Sequence, residues 1–254
     1  MIRYALVAVA AVFVVACNSS PSSASAENTV GGASVISSAQ TPVTKGATSL
    51  SLDLGPNVQI DQVAVADVLT YGGSEPTITA PDGWQLIRDD STLTTRQSLY
   101  WHAIEPNDSN TASWTFSEPV DAQGAILVLD NVASDSPVDT SGGNTGGLNG
   151  LMTANSVATT SDGDLILAFN ATDFGAYRYA SCGICGGLNP TLPENVSVVL
   201  NQESTAREYW ILANYQNQMG ETEPQSSEAA QFFNWVAAQV AIKRGATGAA
   251  TPSS

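Results

Sequence analysis

Apolar and polar residues alternate strictly in Ser49-Leu50-Ser51-Leu52-Asp53-Leu54, which puts three leucines on one face of an extended segment. Val58-Gln59-Ile60 and Val63-Ala64-Val65 continue in kind, and Gly55-Pro56-Asn57 separates the first two runs as a turn. Comparable runs recur over 83–88, 94–104, 112–116, 122–129, 155–159, 165–170, 196–202, 207–215 and 233–242, punctuated by Pro-Asp-Gly, Pro-Asn-Asp and Asp-Gly. The stretch 228–244 carries Ala and Gln suited to a helix, but Val236, Val240 and Ile242 with flanking aromatics predict a closing strand. About a dozen strands without βα alternation predict an all-β chain. Its economical architecture is a two-layer antiparallel β-sandwich, jelly-roll-like, because each strand has one apolar face to bury.

The first residues follow another pattern. Arg3 precedes an apolar core over 5–15, and the run Val14-Val15-Ala16-Cys17 closes it. That core is too short to cross a bilayer, which takes about 20 residues, and a small residue before the cleavage point belongs to an export signal. Val14-Val15-Ala16-Cys17 resembles the lipobox of bacterial lipoproteins. The resemblance implies a diacylglycerol on the Cys17 thiol, removal of residues 1–16 and an acylated new amino terminus. The expected address is therefore the bacterial cell envelope, lipid-anchored at the outer membrane or cell surface. Residues 17–46 are rich in Ser, Ala, Thr and Gly with no sustained period and read as a flexible tether. Residues 47–244 form one β-sandwich domain, and 245–254 a loose tail.

Charge narrows the partners. Against 24 acidic residues stand 8 basic ones, a formal net charge of −16. Nucleic-acid binding needs a basic stripe to neutralise phosphates, and no segment supplies one. Charged residues make up only 13% and apolar ones 43%, which fits a folded extracellular β protein rather than a disordered acidic tail.

A second resemblance lies within the domain. The segment Thr77-Ile78-Thr79-Ala80-Pro81-Asp82-Gly83-Trp84-Gln85-Leu86-Ile87-Arg88 is followed by Leu99-Tyr100-Trp101-His102-Ala103, Glu105-Pro106, Trp114-Thr115-Phe116-Ser117 and Ser136-Pro137-Val138-Asp139. Together with 155–169 and 235–243 these resemble a β-sandwich module recurring in large bacterial surface and secreted proteins. The resemblance covers most of 58–244 and implies a fold and a setting, with no shared catalytic residues. This chain departs from it at His102, where a lysine is frequent, and in the insert around Cys182.

The chemistry-bearing residues are few. His102 is the one histidine, so any Ser-His-Asp triad must use it. It sits in a strand, opposite in face to Trp101 and Ala103, and no serine lies in a Gly-x-Ser-x-Gly elbow, so a half-exposed strand histidine is expected. Cys182 and Cys185, in Ser181-Cys182-Gly183-Ile184-Cys185-Gly186-Gly187, are the thiols left once Cys17 is lipidated. In an exported chain they are expected to form a disulfide stapling a Gly-rich loop. A thioredoxin-like role needs a helix start that the glycines and Pro190 disfavour, and zinc needs more ligands. Asp130, Asp135 and Asp139, around Ser136-Pro137 and before the Gly-rich stretch 141–150, are candidates for a loop Ca2+; otherwise they form a solvated turn. No other cofactor is expected. The tryptophans at 84, 101, 114, 210 and 235 suit a sandwich core.

Tyr177, Arg178 and Tyr179, beside the cysteine loop, are the candidate ligand contacts. The expected function is recognition or adhesion without catalysis: a membrane-tethered sandwich that binds an external polysaccharide or surface protein. The alternatives are a lipid-anchored extracellular hydrolase, which needs a convergent carboxylate pair in a concave site, and a structural envelope component with an exposed edge strand. Cys17→Ser is expected to leave the protein uncleaved or in the aqueous phase of a detergent partition. Wild-type protein found in the aqueous phase with a free amino terminus would overturn the lipid anchor.

Overall fold

The computed structural model describes residues 32–147, 151–173, 196–203, 207–228 and 234–245. Sixteen strands run through them, with no helix among the described residues. The first seven are β1 (Ser34–Gln40), β2 (Thr44–Asp53), β3 (Val63–Tyr71), β4 (Ile78–Thr79), β5 (Gln85–Ser91), β6 (Thr95–Ala103) and β7 (Thr111–Asp130). The rest are β8 (Val138–Gly146), β9 (Leu151–Ala154), β10 (Ala158–Thr159), β11 (Asp164–Asp173), β12 (Ser197–Glu203), β13 (Arg207–Gln216), β14 (Gly220–Glu221), β15 (Gln225–Glu228) and β16 (Asn234–Ile242).

They build an antiparallel β-sandwich. One sheet has the order β1-β7-β3-β6-β5, with β2 and β4 also paired to β7, and the other has the order β12-β13-β11-β16-β8. The chain completes the first sheet before starting the second, where a jelly roll would cross between sheets at successive connections. Two short ribbons, β9-β15 and β10-β14, accompany the second sheet.

The expectation of one buried face per strand holds for β2, whose leucines at 50 and 52 are buried between exposed neighbours. It fails at the centre, where β3, β11 and nearly all of β16 are buried at every position. Val63, Val65, Leu69, Leu127 and Leu129 meet Leu165, Leu167, Phe169, Ile211 and Val240 between the sheets. The outer face of the first sheet, with Ala64, Ala66, Val68, Ile126 and Val128, is covered in turn by Leu50, Leu52, Trp114 and Phe116. Strand β7 makes this cover possible. Its first part pairs with β2 and its second with β1 and β3, so the β2 ribbon folds back over the sheet that β7 continues. On the second sheet Met152 and Ala154 cover Trp210, Trp235 and Ala237, while Val157 covers Ile166 and Ala241. Burying a leucine such as Leu52 contributes about 1.5–3 kcal/mol, so each cover is a substantial part of the fold's stability.

Three boundaries differ from the sequence reading. The folded domain begins at β1, inside the segment expected to be tether, because Ser34–Gln40 pairs with 125–130 of β7, with one register shift between Val35 and Ser37, and so satisfies most of its backbone groups. Part of the Gly-rich stretch 141–150 is strand β8 rather than loop. Its glycines leave room for neighbours: a Cβ would meet Val157 2.7 Å from Gly142, the Arg88 guanidinium 2.0 Å from Gly143 and the Trp235 ring 2.4 Å from Gly146. Val58-Gln59-Ile60 is a turn, held by Gln62 N–H to the Gln59 carbonyl at 3.3 Å and by Gln59 N–H to Gln62 Oε1 at 2.8 Å.

The two ends of the domain share one pole. Ser34 pairs with Asp130 and Val132 bridges to Arg244. The opposite pole carries Tyr71 against Asp121 in the first sheet and Asp173 against Arg207 in the second. Gly124 lies where the β2 leucines press on the first sheet: an added Cβ would sit 2.7 Å from Leu50 Cδ2 and 2.8 Å from the Asp67 carbonyl oxygen. Because one obstacle is backbone, Gly124→Ala is expected to destabilise the domain by about 1–3 kcal/mol, read as a lower midpoint in denaturant unfolding.

Candidate functional site

Asp67 stands in the middle of the apolar run Val63-Ala64-Val65-Ala66-Asp67-Val68-Leu69, and strand alternation aims it between the sheets. It is completely buried. Gln97 Nε2 donates to its Oδ2 at 2.7 Å, and the Tyr209 hydroxyl of the opposite sheet lies against the same carboxyl. Burial outweighs the Gln97 bond and the nearby Tyr209 hydroxyl and pushes Asp67 up to about 8, so it is a neutral acid at pH 7. Burial likewise holds the Tyr71 and Tyr209 phenols above their ordinary value.

From Asp67 a polar spine leads to the pole opposite the domain's ends. Tyr71 donates its hydroxyl to Gln123 Oε1 at 3.2 Å. Above the Tyr71 ring, 4.3 Å from its centre, lies the Arg207 guanidinium. Arg207 reaches Asp121 Oδ2 at 3.2 Å in the first sheet and Asp173 Oδ1 at 3.5 Å in its own. Asn234 Nδ2 donates to Thr94 Oγ1 at 3.2 Å across the same gap. A single cation thus ties the two sheets together at this pole. The spine holds the sheets in place, and its inner end, Asp67, has no exposed surface.

The candidate residues fall out as follows. Cys17, Cys182, Cys185, Tyr177, Arg178 and Tyr179 lie outside the described residues. His102 is buried rather than half-exposed, at 7%. Its Nε2 meets Asp108 Oδ2 at 2.7 Å, and that oxygen also accepts the Glu105 N–H at 2.7 Å. The imidazole stacks on Trp84 at 5.4 Å, and Trp84 meets Trp114 edge-on at 4.9 Å. His102 therefore pins the 105–108 turn to the aromatic cover of the first sheet. Of the five tryptophans, Trp114, Trp210 and Trp235 are buried and Trp84 and Trp101 partly so, as a sandwich core requires.

The candidate Ca2+ aspartates do not cluster. Among the described residues no three acidic, histidine or cysteine side chains converge as metal ligands, so Asp130, Asp135 and Asp139 do not close around one point. Asp139 instead accepts both the amide and the hydroxyl of Thr160 and lies beside the Asp164 carboxyl, whose pKa it helps to raise. Asp139 and Asp164 are thus neighbouring carboxyl groups. The pair does not suit glycoside hydrolysis, which needs both carboxyls in reach of a substrate bond, because Asp164 is wholly buried.

Comparison with known proteins finds no matching family model, no matching curated protein and no matching solved structure.

Sequence reasoning passed over Asp67, Asp164 and Arg207. The signal existed for the two acids: each is a charged residue set against an unbroken apolar strand, Val63–Leu69 and Leu165–Phe169. An acid raised from about 4 to about 8 binds a proton in the folded state that the unfolded chain has released, so stability falls as pH rises between those values and levels off above 8. Asp67→Asn is expected to flatten that slope by up to about 1.4 kcal/mol per pH unit, measured as unfolding free energy between pH 5 and 8. An unchanged slope would place Asp67 outside the proton balance of folding.

Proposed function

We propose that the protein is a cell-envelope lipoprotein whose β-sandwich recognises an external polysaccharide or protein partner. The observation that carries this reading is the polarity of the domain. Both of its ends lie at the pole of Ser34, Asp130 and Arg244. Asp173, after which the chain enters the segment bearing Tyr177, Arg178 and Tyr179, lies at the other. A chain anchored through Cys17 enters the sandwich at Ser34, and residues 18–33 reach at most about 55 Å when extended. The pole at Asp121, Asp173 and Arg207 then lies at the end of the domain remote from its attachment point. Tyrosine supplies large contact area with little rotamer entropy to lose, so the two tyrosines that follow Asp173 in the sequence suit a contact surface. Support also comes from Arg207, which links Asp121 of one sheet to Asp173 of the other and so ties the two sheets together at this pole.

The test is binding. Wild-type protein is expected to bind at least one member of a glycan and envelope-protein panel, and replacing both Tyr177 and Tyr179 with Ala should weaken that binding at least about tenfold, or 1.4 kcal/mol, with an unchanged melting curve. Wild-type protein that binds nothing on the panel and instead self-associates would favour the structural envelope component. Binding that survives both substitutions would move the contact surface elsewhere on the domain.

A further inference from the structure

Asp164 opens β11 and points to the outer face of the second sheet, on the side where Ile166 meets Val157 and Ala241. It has no exposed surface, and neither of its carboxyl oxygens has a partner apart from Asp139. Asp139 stands at the start of β8 and holds the turn after β10 through the Thr160 amide and hydroxyl. The same turn is stapled to the β14 hairpin. Asp162 Oδ1 accepts the Met219 N–H at 2.7 Å, and Thr159 and Gly220 exchange hydrogen bonds of 3.1 and 3.0 Å. Asp139 and Asp164 thus meet where β8, the β10–β14 ribbon and β11 come together.

Two carboxyl groups in contact cannot both be ionised cheaply. We propose that the Asp139–Asp164 pair is an acid-tightened clasp that holds the β10–β14 ribbon and the start of β8 on the second sheet, and that loosens as the shared proton leaves. The groups around it are Asp139 from β8, Asp162 from the 160–163 turn, and Lys243 and Arg244 after β16. Lys243 Nζ is bonded to Ser136 Oγ at 3.2 Å, and the Arg244 guanidinium lies over Gly163. Partial burial opposes the charge on Asp139, but the two Thr160 bonds outweigh it and keep Asp139 the ionised member. Burial first, and then the Asp139 charge, raise Asp164 to about 7.

The sign follows from where the proton sits. In the closed state Asp164 keeps its proton up to about pH 7; once the turn opens into water it releases it near pH 4, the ordinary value for aspartate. Opening therefore becomes easier as pH rises from about 4 to about 7 and is insensitive to pH above that. Amide hydrogen exchange, corrected for the intrinsic rate, should show openings of 138–140, 158–164 and 219–222 increasing by up to about tenfold per pH unit over that range. Amides of β3 serve as an internal reference for whole-domain unfolding. Asp164→Asn should abolish the pH dependence of these segments, while β3, whose global opening also releases the Asp67 proton, keeps the part of its own that Asp67 supplies. Equal exchange at pH 5 and 7 in wild type, or the same rise in the variant, would overturn the clasp. A carbon-13 titration of wild-type Asp164 tests the proposal even if the variant fails to fold: a midpoint near 7 upholds it and one near 4 overturns it.

Discussion

Strands β3, β11 and β16 are buried along almost their whole length, and the rest of the architecture answers that constraint. A sheet apolar on both faces cannot leave either to water. The inner faces meet each other. The outer faces need covers, and the chain makes them from its own strands: β2 with the first part of β7 on one side, and the β9–β15 and β10–β14 ribbons on the other. The length of β7, the close approach at Gly124 and the glycines of β8 are all consequences of strands crossing over strands at short range.

The covers also explain the unusual acids. Asp67 and Asp164 lie on β3 and β11, the two strands buried at every position, one facing the inter-sheet core and the other the covered outer face. Both have desolvation as the largest influence and both are raised, to about 8 and about 7. A neutral carboxylic acid is a hydrogen-bond donor as well as an acceptor, so it can serve a dry interior that a carboxylate would destabilise. The difference between them is in their partners. Asp67 meets neutral groups, Gln97 and Tyr209, and belongs to the global core; Asp164 meets the ionised Asp139 and belongs to a local junction.

Charge elsewhere in the domain is used sparingly and in pairs. Arg88 and Asp90 of β5 pair over Gly143 of β8, with a 2.7 Å bond from Nη2 to Oδ1, and Arg88 Nη1 reaches Ser141 Oγ of β8 at 3.5 Å, which closes the edge where β5 meets β8. Arg207 does the same for the two sheets at the opposite pole from the chain ends. In a chain with 24 acidic and 8 basic residues, these two cations sit at seams between sheets, where a partly desolvated pair counts for more than on open surface.

The alternation of Leu50, Leu52 and Leu54, the turn residues at Pro81-Asp82-Gly83 and the β-branched closing segment already specify an all-β antiparallel sandwich, because strand period and turn chemistry are local properties. So are the apolar start and Cys17, on which the expected address rests. Burial of a second face is not local. It depends on which ribbon folds over which sheet, so the unbroken run of β3 reads as a strand while its outer partners, Leu50 and Trp114, are named only by the tertiary structure. The same reason hid β1 and β8: Ser34–Gln40 and the Gly-rich 138–146 have weak strand character of their own and become strands because β7 and β16 supply their pairing. Asp67 and Asp164 were visible as charges within apolar runs, but a charge in a strand can face water or core. Only the packing of Tyr209 against the one and Asp139 against the other decided that both are buried acids, since desolvation and proton sharing arise from neighbours far away in the chain.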